Sequence, residues 1–327
     1  MNLLITGALG HIGSKLIREI PPGMFERVSL LDNLSTQRYG ALFNLPNGVP
    51  FQFFEDDILE ADLEEYFTGI DVVIHLAAAT NAEDSLTSPE KSEGTNFRGT
   101  ERVARACVAC RSKLVFVSTT SVYGVQGDAV DETLPRGQLR PQSPYAVNKL
   151  QAEVLLQEIG ARERLEFVTC RFGTLFGVSP GMRFHTAVNK FCWQAVMGLP
   201  LTVWRTALNQ RRPYLDVLDA VEALKFIVGG NVFDGRTYNI VTTNATVQML
   251  LDIIRLRVPD VATRYVDTPI MNQLSYTVSS ERFARLGFEF RGNLEQGIVD
   301  TIELFRASCA GRFSGTAFTT APRGVGL

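Results

Sequence analysis

A doubly wound α/β fold, with helices on both faces of a parallel sheet and a smaller C-terminal lobe, follows from three observations on this 327-residue chain. Short runs that are apolar at every position recur through its first half. Stretches with helical periodicity separate them. Three glycines stand just after the first run and open the first helical stretch. Uninterrupted apolar runs mark strands buried on both faces, as in a parallel sheet, whereas half-exposed strands alternate. A βαβα order of this kind closes through right-handed crossovers.

In chain order, strands are expected at residues 3–6, 28–31, 51–54, 72–76 and 114–117. Helices are expected over 12–19, 61–67, 100–111 and 145–158, and later strands of the same sheet at 167–170 and 238–241. After Gly173 the alternation loosens, and 183–198, 215–229, 249–256 and 294–305 read as helices. The predicted division is a sheet domain of residues 1–175 joined by about 213–241, and a lobe of 176–212 with 242–306. Residues 307–327, rich in Gly, Ser and Thr, read as a tail that needs another surface to be ordered.

Hydrophobic residues make up 45% of the chain and charged residues 20%, the balance of an ordinary globular protein. A net charge of −3 with no long run of either sign leaves no footprint for nucleic acid or an anionic membrane. No apolar stretch nears the roughly 20 residues of a membrane span. The N-terminus has neither the basic n-region nor the cleavage site of a signal peptide, so a cytoplasmic location is expected. Cys107, Cys110, Cys170, Cys192 and Cys309 are odd in number and scattered. Cys107 and Cys110 form a CxxC on an expected helix, but the second CxxC or His pair that zinc requires is missing. No metal is expected, and small buried side chains are the preferred reading.

The first run, Leu3-Leu4-Ile5, leads into Gly7-Ala8-Leu9-Gly10-His11-Ile12-Gly13. Strand, tight glycine turn and helix N-terminus together make an anion site, because backbone N–H groups and the positive helix end face the phosphates. The spacing is GxxGxxG rather than GxGxxG, and three glycines by themselves need only make a turn. Asp32 ends the second run about 20 residues further on, where an acid binds a ribose 2′-hydroxyl. Its carboxylate would repel the 2′-phosphate of NADP, so NAD is the expected cofactor of a Rossmann-type domain. A turn cap is the alternative reading of Asp32.

Tyr145 and Lys149 are four apart and share one face of an expected helix that Pro144 starts. A free tyrosine is a poor base at neutral pH. A neighbouring ammonium and the positive nicotinamide ring favour its phenolate. A YxxxK alone is as readily a surface pair. The flank decides: Leu114-Val115-Phe116-Val117 is a strand with Ser118 and Thr119 at its carboxyl end, where open α/β sheets place ligands. A hydroxyl there can bond a reacting sugar oxygen, or satisfy turn backbone, as Thr120 and Ser121 are placed to do. A hydrolase fits badly, since none of His11, His75 and His185 accompanies a GxSxG elbow. His75, inside an apolar run, reads as a satisfied structural histidine.

With these residues in hand, the chain resembles the extended short-chain dehydrogenase/reductases, specifically the NAD-dependent nucleotide-sugar epimerase/dehydratase family. The resemblance covers nearly all of residues 1–305. It runs through the glycine turn, Leu31-Asp32-Asn33-Leu34, Asp57-Ile58, His75-Leu76-Ala77-Ala78 and Thr95-Asn96-Phe97-Arg98-Gly99-Thr100. It continues through Ser118-Thr119-Thr120-Ser121-Val122-Tyr123-Gly124, Ser143-Pro144-Tyr145-Ala146-Val147-Asn148-Lys149 and Arg212-Pro213-Tyr214-Leu215-Asp216. The resemblance implies that Tyr145 is the base, that Lys149 holds the nicotinamide ribose and tunes Tyr145, and that Thr119 is the hydroxyl partner. Cofactor contacts are implied at Gly7, Gly10, His11, Ile12, Gly13, Asp32, Asn33, Leu76, Ala77, Ala78 and Val117, with Asp57 and Ile58 at the adenine. Asn96 would hold the active-site backbone or the cofactor. Arg212 matches the arginine that grips the substrate pyrophosphate, a bidentate task suited to guanidinium.

Departures from the family bear on the substrate. The acidic residue that dehydratases and decarboxylases carry just after the catalytic Thr is replaced by Thr120 and Ser121. A second phosphate-binding arginine is not evident around Met271-Asn272-Gln273, which leaves Arg183 or Gln273 for that contact. Thr174, His185 and the segments 181–185 and 204–206 are expected to line the sugar-nucleotide pocket. The leading expectation is C4 epimerisation of a UDP-sugar through a transient 4-keto sugar. A 4-ketoreductase, a dehydratase and a non-catalytic NAD-binding module are the alternatives. The resemblance also implies a homodimer through the helices at 100–111 and 145–158.

Overall fold

In the computed structural model, residues 1–80, 82–124, 126, 129–267 and 275–308 are described, the side chains of 82–84 excepted. Gln273 and residues 309–327, most of the expected tail, lie outside them. Ala307 and Ser308 complete the helix Leu294–Ser308.

Seven parallel strands make the central sheet. Their order across it is Thr237–Ile240, Phe167–Phe172, Lys113–Thr119, Val72–His75, Asn2–Thr6, Arg27–Asp32 and Phe51–Glu55. Each strand expected from an apolar run is there, displaced by no more than two residues at an end. Leu3, Leu4 and Ile5 are fully buried, as strands covered on both faces require. Each such side chain contributes roughly 1.5–3 kcal/mol relative to exposure. The chain builds outward from Asn2–Thr6 to Phe51–Glu55, then crosses back to place Val72–His75 on the other side of the first strand. That reversal opens a crevice beyond the carboxyl ends of Asn2–Thr6 and Val72–His75, the position where doubly wound sheets bind ligands.

Two hydrophobic clusters cover the sheet. One holds Leu3, Ile5, Leu16, Leu224 and Ile227, the other Leu4, Phe67, Val103, Phe116 and Leu156. A third joins Phe176, Val188, Tyr214, Leu250, Ile298 and Phe305 beside the sheet. A smaller mixed sheet runs through it, with Arg211–Asp216 parallel to Thr174–Phe176 and antiparallel to Thr243–Thr246. Phe283 and Phe288 pack instead with Phe226 and Tyr238 on the main sheet's side.

Periodicity began some helices too early, those expected from 183 and 215 among them. The one expected over 183–198 is Ala187–Val196, because Arg183 and His185 face the clefts described below and Phe184 packs edge-on against Trp193 and tilted against Phe305. The one expected over 215–229 starts at Val217, where the Asp216 carboxylate caps Leu218 N at 2.9 Å; Leu215 and Asp216 are strand. A helical pair, Ala82–Thr87 and Pro89–Glu93, followed by a π-helical turn Gly94–Arg98, lies where no helix was expected. Among the described residues, no helix is long and apolar enough to cross a membrane.

Candidate active site

Two clefts meet at the crevice. Gly7, Gly10, Asp32, Asn33, Asp57 and Ile58 line the first, with Leu76, Ala77 and Ala78. Thr119, Tyr145, Lys149, Thr174 and Arg212 line the second, with His11, Ile12 and Val117. Leu76, Ala78, Thr80, Arg183 and His185 belong to both, so the two are continuous.

The glycine turn is built as its residue types demand. Gly7 has φ +65°, and a Cβ there would meet the backbone of Ala77 at 2.5 Å. Gly7 N donates to Leu31 O at 2.8 Å, stitching the turn to the second strand. Gly10 begins the helix His11–Glu19 with no side-chain cap, and the first helical turn holds no acid. The N–H groups of that helix end therefore face the cleft unclaimed by side chains, which suits a phosphate. Gly13 lines neither cleft. It serves packing, since a Cβ there would strike Ala8 O.

Asp32 combines both readings made for it. Oδ2 accepts from Leu9 N at 3.0 Å and Oδ1 from Leu34 N at 2.9 Å, which ties the glycine turn to the strand end. A carboxylate has about four acceptor sites, and Asp32 lines the first cleft with two of them used by these bonds. Asn33 Nδ2 donates to Asp57 Oδ2 at 2.8 Å, and Asp57 Oδ1 caps Leu59 N at 2.9 Å. His11 lines the second cleft rather than the first. Its ring is buried with Nε2 on Gly177 O at 2.8 Å, and burial pulls its pKa to about 3.

Asn96 lines neither cleft and acts on backbone. Its Oδ1 accepts from Ala79 N at 3.0 Å and its Nδ2 donates to Ala79 O at 2.9 Å, which fixes the loop carrying Ala78 and Thr80. The π-helical turn aims this side chain, a common use of such turns. His75 is the structural histidine expected, 2.7 Å from Thr6 Oγ1 and 3.1 Å from Thr100 Oγ1.

At the second cleft, Ser143 caps the helix Pro144–Glu163 by accepting from Ala146 N at 3.2 Å, with Pro144 at its first position. Tyr145 and Lys149 share one face of this helix. Lys149 Nζ donates to Val117 O at 2.9 Å and stands 4.8 Å from the centroid of the Phe116 ring. Burial, with the Arg183 charge adding to it, pulls the ammonium's pKa to about 7; Glu153 opposes. For Tyr145 the expected lowering does not hold within the protein itself. Burial pushes the phenol up, and the charge of Arg183 and the hydroxyl of Thr119 only partly oppose it.

Thr119, rather than Ser121, satisfies the turn: its Oγ1 accepts from Ser121 N at 3.1 Å and donates to Ser121 Oγ at 3.2 Å. Thr120 donates to Phe172 O at 3.3 Å. Arg183 is bonded to Thr80 Oγ1, and its pKa falls to about 10 through burial. Of the segment 204–206, Trp204 lines the cleft, while Arg205 turns away to Asp267 at 3.4 Å and the Tyr265 ring. Gly181 packs under the glycine turn and Met182 in the lobe core. Sequence reasoning missed Thr80, Lys190 and Tyr276 in the clefts, since none sits in a motif. It also missed Arg38, whose only signal was its place in the loop after Asp32.

A glycine-turn groove joined to a Thr–Tyr–Lys cleft is the arrangement that the sequence resemblance to the short-chain dehydrogenase/reductases implied. The model of the NAD dependent epimerase/dehydratase family matches residues 3–240, and the chain belongs to that family. NAD is its cofactor, and the glycine turn, the uncapped helix end and Asp32 fit that group. A trifunctional UDP-glucose 4,6-dehydratase/UDP-4-keto-6-deoxy-D-glucose 3,5-epimerase/UDP-4-keto-L-rhamnose-reductase of Arabidopsis thaliana, RHM3, is 30% identical over 320 residues. The match takes in 93% of this chain and 47% of that protein, so the chain spans about half the length of this relative. The uncharacterized UDP-glucose epimerase YtcB of Bacillus subtilis is 32% identical over 249 residues, 73% of this chain and 76% of that one. The solved structure of UDP-glucose 4-epimerase from Thermus thermophilus in complex with NAD superposes with a TM-score of 0.82. It is 27% identical and covers 94% of this chain and 100% of that one.

Proposed function

We propose that this protein is a nucleotide-sugar epimerase acting at C4 of a UDP-sugar. The observation that carries the reading is the chemistry of the reaction cleft. Tyr145, Lys149 and Thr119 converge there, and among the described residues lining it none is Asp or Glu. Eliminating water from a 4-keto sugar requires an acid placed to protonate the departing hydroxyl. Thr120 and Ser121 stand where that acid would be, and neither supplies it. The UDP-sugar epimerases among the relatives support the same choice.

When bound, NAD supplies a reversible acceptor for the C4 hydride. Tyr145 removes the 4-hydroxyl proton and later returns one. Lys149 holds the nicotinamide ribose and lends its charge to the phenolate form of Tyr145. Thr119 donates to the sugar oxygen and fixes its direction. Arg212 and Arg183 neutralise the diphosphate, with Thr174 and His185 along the sugar. Residues 176–212 and 242–306 act as the substrate lobe, and residues 1–175 with about 213–241 as the cofactor domain. A homodimer through the helices Gly99–Cys110 and Pro144–Glu163 completes the reading, and light scattering on the purified protein checks it.

Proton NMR of the protein with UDP-glucose, UDP-N-acetylglucosamine and UDP-glucuronic acid, separately and without added cofactor, tests the reaction. A new anomeric signal growing to a constant ratio is expected from one of them. A new methyl doublet would mean dehydration, and silence without a stoichiometric reductant would point to the ketoreductase. Tyr145→Phe should retain NAD and lose about 10²–10⁴-fold in turnover; normal turnover in that variant would end the assignment.

A further inference from the structure

Tyr145 and Lys149 share their helix face with a third residue. Glu153 follows Lys149 by four, so the three form one stripe along Pro144–Glu163. Glu153 is 6% exposed, and its carboxylate is clamped from the sheet. Ser118 Oγ donates to Oε1 at 2.5 Å, while Arg171 makes a bidentate pair, Nε to Oε1 at 3.0 Å and Nη2 to Oε2 at 2.6 Å. The Arg171 guanidinium lies 4.9 Å from the centroid of the Tyr123 ring, and Tyr123 OH donates to Asn239 Oδ1 at 2.9 Å. Ser118 and Arg171 stand on adjacent strands and anchor one carboxylate beneath this helix, while Asn239 on the next strand holds Tyr123 beside Arg171.

Stability is a weak reason for such a pair, because an apolar pair of similar volume often serves as well or better. Its charge has a target. Lys149 faces Tyr145 and Glu153 on its own helix, Arg183 from the loop opposite, and His75 from the sheet, which burial keeps neutral. Among the described residues acting on the ammonium, Glu153 supports its charge, while burial and Arg183 oppose it. We propose that Glu153, clamped by Ser118 and Arg171 one turn along the helix, is a positioning residue that acts through its fixed charge to keep Lys149 charged beside Tyr145. Ser118 neighbours Thr119, so the anchored carboxylate and the hydroxyl partner are held by the same strand end. The inference rests on the role proposed above for Lys149, but it can be read on the lysine itself.

The chain has six lysines, few enough to resolve by NMR of full-length, NAD-bound protein carrying ¹³C at lysine Cε. Lys149→Met assigns the resonance. Glu153→Gln should move the Lys149 titration down by about one pH unit or more, a tenfold loss of charged fraction per unit on the alkaline side. The other five should stay in place. Should that variant fold poorly, Glu153→Leu with Arg171→Met replaces the pair by an apolar one and should move the titration in the same direction by less, since the Arg171 charge leaves with the carboxylate. A Lys149 titration unmoved in whichever of these folds would overturn the proposal. The alkaline limb of nucleotide-sugar turnover should move with the titration. A wild-type protein that turns over no nucleotide sugar counts against the proposed reaction, and the lysine titration still decides the role of Glu153.

Discussion

Lys149→Met should make this protein more stable below neutral pH and less stable at high pH. Burial brings the folded-state pKa of Lys149 from the ordinary 10.5 to about 7. An unfolded lysine keeps its proton to about pH 10.5. Between the two values unfolding takes up a proton, so stability rises with pH across that window and the penalty is complete below about pH 7. The difference is worth about 5 kcal/mol at roughly 1.4 kcal/mol per pH unit. Against it stands the bond from the ammonium to the part-buried Val117 O, worth about 1.5–3 kcal/mol for a charged donor. Lys149→Met should therefore gain about 2–4 kcal/mol at pH 6. At pH 10 the charge penalty has shrunk to roughly 1 kcal/mol, and the lost bond should leave the variant level with wild type or below it. Urea unfolding of cofactor-free protein at pH 6 and pH 10 reads both signs without ligand linkage. An equal difference at the two pH values would refute the claim that a desolvated charge is what the site carries.

Two further outcomes follow from the same site. The pKa values of His11 and His75, both brought to about 3 by burial, mean that unfolding takes up two protons once pH falls below about 6.5. Stability should then fall by about 3 kcal/mol per pH unit on acidification, and His75→Gln should roughly halve that slope in pH-dependent urea titrations. Asn96→Ala removes the partners of Ala79 N and Ala79 O. It should cost roughly 2–4 kcal/mol and weaken NAD retention, measured by calorimetry of the stripped protein; wild-type affinity would show that the loop carrying Ala78 and Thr80 does not depend on this clamp.

The sheet was legible because its strands are buried on both faces, so their runs are apolar without interruption and turn chemistry punctuates them. The same holds for the glycine turn, where Gly7 has no substitute at its φ, and for Tyr145 and Lys149, whose spacing of four is a property of any helix. Local geometry determines all of these. Less legible was the region between Ala79 and Gly99, where two short helices and a π-helical turn exist because Asn96, Ser92 and Ala79 bond one another. The helix start near Ala187 was equally hidden, since Arg183 and His185 face the clefts rather than continue a helical face.

By itself, then, the sequence determined the parallel sheet, the dinucleotide turn and the pairing of a tyrosine with a lysine. The tertiary structure alone decided what each group experiences. It made Thr119 a turn cap as well as a hydroxyl in the cleft, drew Arg183 from the lobe to the junction of the two clefts, and clamped Glu153 between Ser118 and Arg171. Charge and protonation depend on distance and desolvation across strands far apart in the chain, and no spacing along one segment encodes them.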